Sequence, residues 1–85
     1  VRHYYFHVRN GTGVIRDEEG RDLPDDEAAR GEAMKGIRSI ISSEAAAGLL
    51  DLTGALDIAD AQGQLLVTIG FDEAFEIRLP ERPAR

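Results

Sequence analysis

The sequence contains no cysteine and no tryptophan, a single lysine (Lys35) and three prolines in 85 residues. Without cysteine there are no disulfides and no thiolate ligands. A chain this short buries only about 60–65% of the surface its unfolded form exposes, so further stability must come from tight helix–sheet packing or from a second copy. A homodimer is the simplest expectation. No hydrophobic run approaches the roughly 20 residues of a membrane span, and no basic-then-apolar leader opens the sequence. The expectation is a soluble, cytoplasmic domain with no membrane partner.

Positive charge is also scarce: 16 acidic residues stand against 10 basic ones, for a net charge of −6. A phosphate backbone is therefore a poor partner, and nucleic acid is not expected. The acids gather in Asp17, Glu18, Glu19, Asp22, Asp25, Asp26 and Glu27, with Arg21 the only base among them. The arginines lie toward the ends, with Arg2, Arg9 and Arg16 early and Arg78, Arg82 and Arg85 late. Such an asymmetry can orient one subunit against another.

Both histidines, both tyrosines and one of three phenylalanines fall in the first eight residues, Val1-Arg2-His3-Tyr4-Tyr5-Phe6-His7-Val8. With a period of two, Tyr4, Phe6 and Val8 share one strand face, which reads as core. His3, Tyr5, His7 and Arg9 share the other. Asn10-Gly11-Thr12-Gly13 supplies a tight turn, and Val14-Ile15-Arg16 reads as the return strand of a hairpin. Asp17 to Asp22 has turn chemistry and no apolar period, which predicts a loop closed by Leu23-Pro24.

Asp25 is a good N-cap, and Asp26 and Glu27 suit the positive end of a helix dipole. The helix is predicted from about Asp26 to Ala47, with Ala29, Ala33, Met34, Ile37, Ile40, Ile41 and Ala45 on its apolar side and Gly48 as the left-handed residue that ends it. Leu49 is expected to pack back on the last turn. Ala55–Ala59 and Gln64–Ile69 read as a second hairpin joined through Asp60-Ala61-Gln62-Gly63. Leu56, Ile58, Leu65, Val67 and Ile69 are expected to face inward, leaving Leu66 and Thr68 on the opposite face. Phe71 and Phe75 suggest a helical turn over the core edge. The pattern is β-β-α-β-β: a two-layer α+β domain over residues 1–79, an antiparallel sheet with one long helix on one face, and a flexible tail at 80–85.

Chemistry is harder to find. On one strand face His3 and His7 stand about 13 Å apart at 3.3 Å per residue, too far to share one zinc. The acidic segment lacks the spacing of a calcium loop, since Gly20 falls fourth from Asp17. Gly11-Thr12-Gly13 opens no helix and is followed by no Lys-Ser/Thr, which excludes a phosphate loop. Ser39, Ser42 and Ser43 sit within the helix and not on a strained elbow, and no carboxylate pair stands out for acid–base work. No enzyme, cofactor or metal is expected. The candidate interface is His3, Tyr5, His7 and Arg9 with Leu66 and Thr68, and the expected function is that of a non-catalytic protein-interaction domain, with self as the first partner. The alternative is a small-ligand site in which Tyr5, His7 and Arg9 surround an anion.

The string Arg2-His3-Tyr4-Tyr5-Phe6-His7-Val8-Arg9, then Asp17-Glu18-Glu19-Gly20, Leu23-Pro24-Asp25, Ala28-Ala29 and Glu32-Ala33, resembles a family of short bacterial proteins catalogued as a domain of unknown function. Asp60-x-x-Gly63-x-Leu65 and Ile69-x-Phe71 continue the likeness, which reaches about Ile77. The resemblance implies no activity, cofactor or catalytic residue. A similarity of layout alone links the chain to small antitoxins of the HicB type, which implies a partner-binding role as a further alternative.

Overall fold

The structure is a computed structural model and describes residues 1–83. Strand β1 (Arg2–Asn10) runs through the sheet beside β2 (Gly13–Ile15) and β3 (Arg21–Leu23); helix α1 (Asp26–Ala46) follows, then β4 (Ala55–Ala59), β5 (Leu65–Gly70) and a 3₁₀ turn at Phe71–Ala74. The sheet is antiparallel in the order β2-β1-β4-β5, with β3 also paired to β1. This is the expected α+β architecture, with α1 between β3 and β4. No helix among the described residues is long and apolar enough to cross a membrane.

The third strand departs from the expectation of a simple loop at Asp17–Asp22. Arg2, His3 and Tyr4 pair with Leu23, Asp22 and Arg21. Residues 16–20 bulge out between β2 and β3, and the Asp17 carboxylate takes the place of a missing strand by accepting the Phe6 N–H at 3.1 Å. Its other oxygen accepts Glu19 N–H and Gly20 N–H at 3.3 and 3.0 Å. Gly20 has φ +69°, and a Cβ there would stand 2.6 Å from the Tyr4 carbonyl oxygen and 2.5 Å from the His3 ring, so only glycine fits. The two short segments thus act as one interrupted edge strand along β1.

Helix α1 starts as its sequence predicts, with the Asp25 carboxylate accepting Ala28 N–H at 2.8 Å. It ends in a Schellman arrangement: Gly48, at φ +95°, donates to the Ala45 carbonyl and Leu49 donates to the Glu44 carbonyl. Leu49 itself stays 53% exposed, and Ala45 is exposed beyond the stripe that meets the sheet.

Ala29, Ala33, Ile37 and Ile41 form the buried stripe, against Tyr4, Val8, Leu56, Ile58 and Ile69, with Phe71 and Ala74 closing the edge. Phe6, Met34, Ile40, Val67 and Phe75 pack around it half-buried. Each fully buried large side chain contributes about 1.5–3 kcal/mol. Small residues on the first half of α1 let its backbone sit close to the sheet, and Tyr4 reaches past them to donate its hydroxyl to Asp26 at 2.6 Å. Burial, with the Asp26 bond, holds the Tyr4 hydroxyl above its usual pKa.

The second hairpin carries one irregularity. Pairing runs Ile58↔Val67 and then Ala59↔Leu65, so Leu66 is the extra residue of a β-bulge. A bulge exchanges the faces of the residues beyond it. Leu65, expected in the core, instead stands opposite Ala59 on the outer face and is 58% exposed.

Of the tail expected at 80–85, Pro80–Pro83 are exposed and outside regular structure, and residues 84 and 85 lie outside the described region.

Candidate functional site on the outer sheet face

Helix α1 covers one face of the sheet, and the other carries His3, Tyr5, His7 and Arg9 from β1. Register brings Tyr5 opposite Ala59, His7 opposite Asp57 and Arg9 opposite Ala55, with Asp57 in turn opposite Thr68. The first four predicted residues therefore share one surface. Thr68 joins them through Asp57. Leu66 does not: the bulge turns it to the helix side, where it lines a recess with Tyr4, Ala29, Ile58 and Val67. Leu65 takes the outer position predicted for it.

Asp57 organises the centre of this face. Arg9 clamps it with two bonds, Nε to Oδ2 at 2.8 Å and Nη2 to Oδ1 at 3.0 Å, and Thr68 Oγ1 donates to Oδ1 at 2.6 Å. The Arg9 bonds above all, aided by Thr68 and opposed by burial, hold the Asp57 carboxyl below the usual carboxylate range.

The two histidines are held differently. His3 presents Nδ1 to the Asp22 carboxylate at 2.6 Å and Nε2 to the Glu19 carbonyl at 2.8 Å. Two acceptors on two nitrogens favour the doubly protonated ring, and the Asp22 bond, followed by that to Glu19, raises the His3 pKa above 6.5. His7 Nδ1 accepts Asp17 N–H at 3.0 Å, a bond that needs the tautomer with its proton on Nε2. Asp17 is itself pulled upward by burial, but the N–H donors of Gly20, Phe6 and Glu19 outweigh it and hold its carboxyl low. Tyr5 stands between the histidines, edge-on to His3 with ring centroids 5.0 Å apart and parallel to His7 at 6.2 Å.

Beside Tyr5 and His7, a shallow concavity of about 400 Å³ lies between Arg16, Asp17 and Glu18 on one side and the Ala61–Gly63 turn on the other. Two carboxylates against one guanidinium make its rim unfavourable to an anion. A larger groove of about 760 Å³ opens on the helix side, floored by Phe6, Ala33 and Leu56, under the loop that carries Asp17–Arg21. Charges of both signs ring it. Among the described residues no group of three or more His, Asp or Glu side chains is placed to hold a metal.

Sequence reasoning missed Asp57, Asp17, Asp22 and Leu65. A signal existed for Asp57, an acid at the outward position of Ala55-Leu56-Asp57-Ile58-Ala59 with Arg9 and Thr68 to meet it. None existed for Asp17, whose partners are backbone amides.

The molecule is thus a small two-layer α+β domain that displays one bare sheet face cross-linked by its own side chains. The model of the family described as Domain of unknown function (DUF6894) matches residues 3–72, and the chain belongs to that family. No curated protein and no solved structure matches it.

Proposed function

We propose that this chain is a non-catalytic protein-interaction domain, cytoplasmic and homodimeric, which offers its outer sheet face to a protein partner. One observation carries the reading: the charged centre of that face is already bonded within the domain and not poised for reaction. Asp57 is occupied by Arg9 and Thr68, and both nitrogens of His3 are taken. A nucleophile–base pair requires the opposite, a group left free to move a proton. A surface ordered in advance loses little freedom when a partner binds, and exposed Val14 opposite Arg9, with Leu65 across Ala59 from Tyr5, gives it the mixed apolar and polar character of an interface.

Co-purification from the native cell tests this reading, comparing the wild type with Tyr5→Arg. Tyr5 is half-buried at the surface and outside the core, so the variant keeps the fold. The expected result is a partner that the wild type retains and the variant loses. Equal retention by both would contradict the proposal.

A further inference from the structure

The described chain ends in a segment that the domain leaves unused. After the 3₁₀ turn the backbone becomes extended at Phe75, with φ −133° and ψ 149°. The molecule measures 54 × 25 × 20 Å, whereas the 21 residues of α1 span about 31 Å at 1.5 Å each. The radius of gyration, 14.8 Å, likewise exceeds the roughly 12 Å of a compact chain of this length. Residues 76–83 are all exposed, so the C-terminal segment stands clear of the packed body.

Its sequence has the period of a strand. Arg78 Nη2 donates to Glu76 Oε1 at 3.0 Å, which puts both side chains on one side of the segment. The alternation assigns Phe75, Ile77 and Leu79 to the other side; Phe75 is half-buried against the domain's own core and anchors the segment, whereas Ile77 is 46% and Leu79 80% exposed. Pro80 follows, with no N–H to continue a ladder. An alternating segment with apolar groups bare at Ile77 and Leu79 has the pattern of a strand without a neighbour.

The segment is complementary to itself. Reversed about Ile77, Phe75-Glu76-Ile77-Arg78-Leu79 places Glu76 opposite Arg78 of a second copy, Arg78 opposite Glu76, and Phe75 opposite Leu79. A parallel pairing would set like charges together. The free edge of β5, Leu65–Gly70, has no charge to meet either Glu76 or Arg78. We propose that Phe75–Leu79 is a dimerisation strand, paired antiparallel with the same segment of a second copy about a twofold axis at Ile77. Such an isologous contact closes at two chains and leaves both outer sheet faces free. The segment lies beyond residue 72, where the family match ends.

This inference rests on the homodimer proposed above. Sedimentation velocity of the full chain across a concentration series tests it, with wild type, Glu76→Arg, Glu76→Arg/Arg78→Glu and Tyr5→Arg compared. Glu76 and Arg78 are both highly exposed, so these changes leave the fold intact. The single reversal creates two like-charge pairs and is expected to weaken dimerisation at least about tenfold, while the double reversal restores the wild-type constant. Dimerisation unchanged by Glu76→Arg, or not recovered by the double reversal, would overturn the inference. A dimer lost in Tyr5→Arg but kept in Glu76→Arg would overturn it too, while the homodimer itself stands. A monomeric wild type would remove both.

Discussion

At the scale of single residues, ionisation links the outer face to stability with two opposite signs. His3 has a raised pKa in the folded chain, so its contribution is fully present below its ordinary 6.5 and is lost as pH rises through the folded value. Asp17 and Asp57 are depressed, so theirs is present above about pH 4 and is lost as pH falls through their folded values. These groups together favour the fold most between about pH 4 and 6.5. Thermal melts of His3→Gln should therefore fall furthest below the wild type near pH 5–6 and converge with it in alkali. A difference independent of pH would show that His3 acts through packing alone. Asp57→Ala should lower stability by about 1–3 kcal/mol near neutral pH, since Arg9 and Thr68 lose a partly shielded acceptor, with the deficit shrinking in acid. Equilibrium unfolding at pH 7 and pH 3 measures it.

At the scale of elements, the interrupted edge beside β1 is the least regular part of the sheet and depends on one carboxylate. Asp17→Ala removes the acceptor of three backbone N–H groups and should cost about 1–3 kcal/mol. Amide exchange at Phe6 and Gly20 should accelerate before that of Ile58 in the central strand. Uniform acceleration across the sheet would instead mean that the edge has no local role. The same elements show what was legible in the sequence. The period of Tyr4, Phe6 and Val8, the Asp25 cap, the Ala29-Ala33-Ile37-Ile41 stripe and Gly48 all act within a few residues, and each stands where the pattern puts it. Strand β3 was not legible, because Arg21-Asp22-Leu23 has no period of its own and becomes a strand only through pairing with Arg2–Tyr4. The bulge at Leu66 was hidden for a related reason. Five consecutive β-formers, Leu65–Ile69, look uninterrupted until their register with β4 is known, and so Leu65 and Leu66 exchange faces.

At the scale of the whole molecule, apolar side chains are packed beneath α1 and also left exposed at several places, among them Val14 and Leu65 on the bare sheet face, Leu49 and Leu50 after α1, and Ile77 and Leu79 in the C-terminal segment. The proposed homodimer would add buried surface to a thin, cysteine-free core, and Glu76 and Arg78 are the charges proposed to hold it. On the proposed reading the face and the C-terminal segment have separate tasks, one for a partner and one for self. The outer face was half-visible in the sequence as four alternating side chains, but the contacts that lock it arrive from β4, β5 and the Asp17–Asp22 segment, 10 to 48 residues away along the chain. The homodimer is tested most directly by the mass of the wild-type chain, from light scattering during size exclusion at micromolar to high micromolar concentration. A homodimer gives twice the 9.3 kDa of one chain, the expected result; a mass of 9.3 kDa at every concentration would rule the homodimer out.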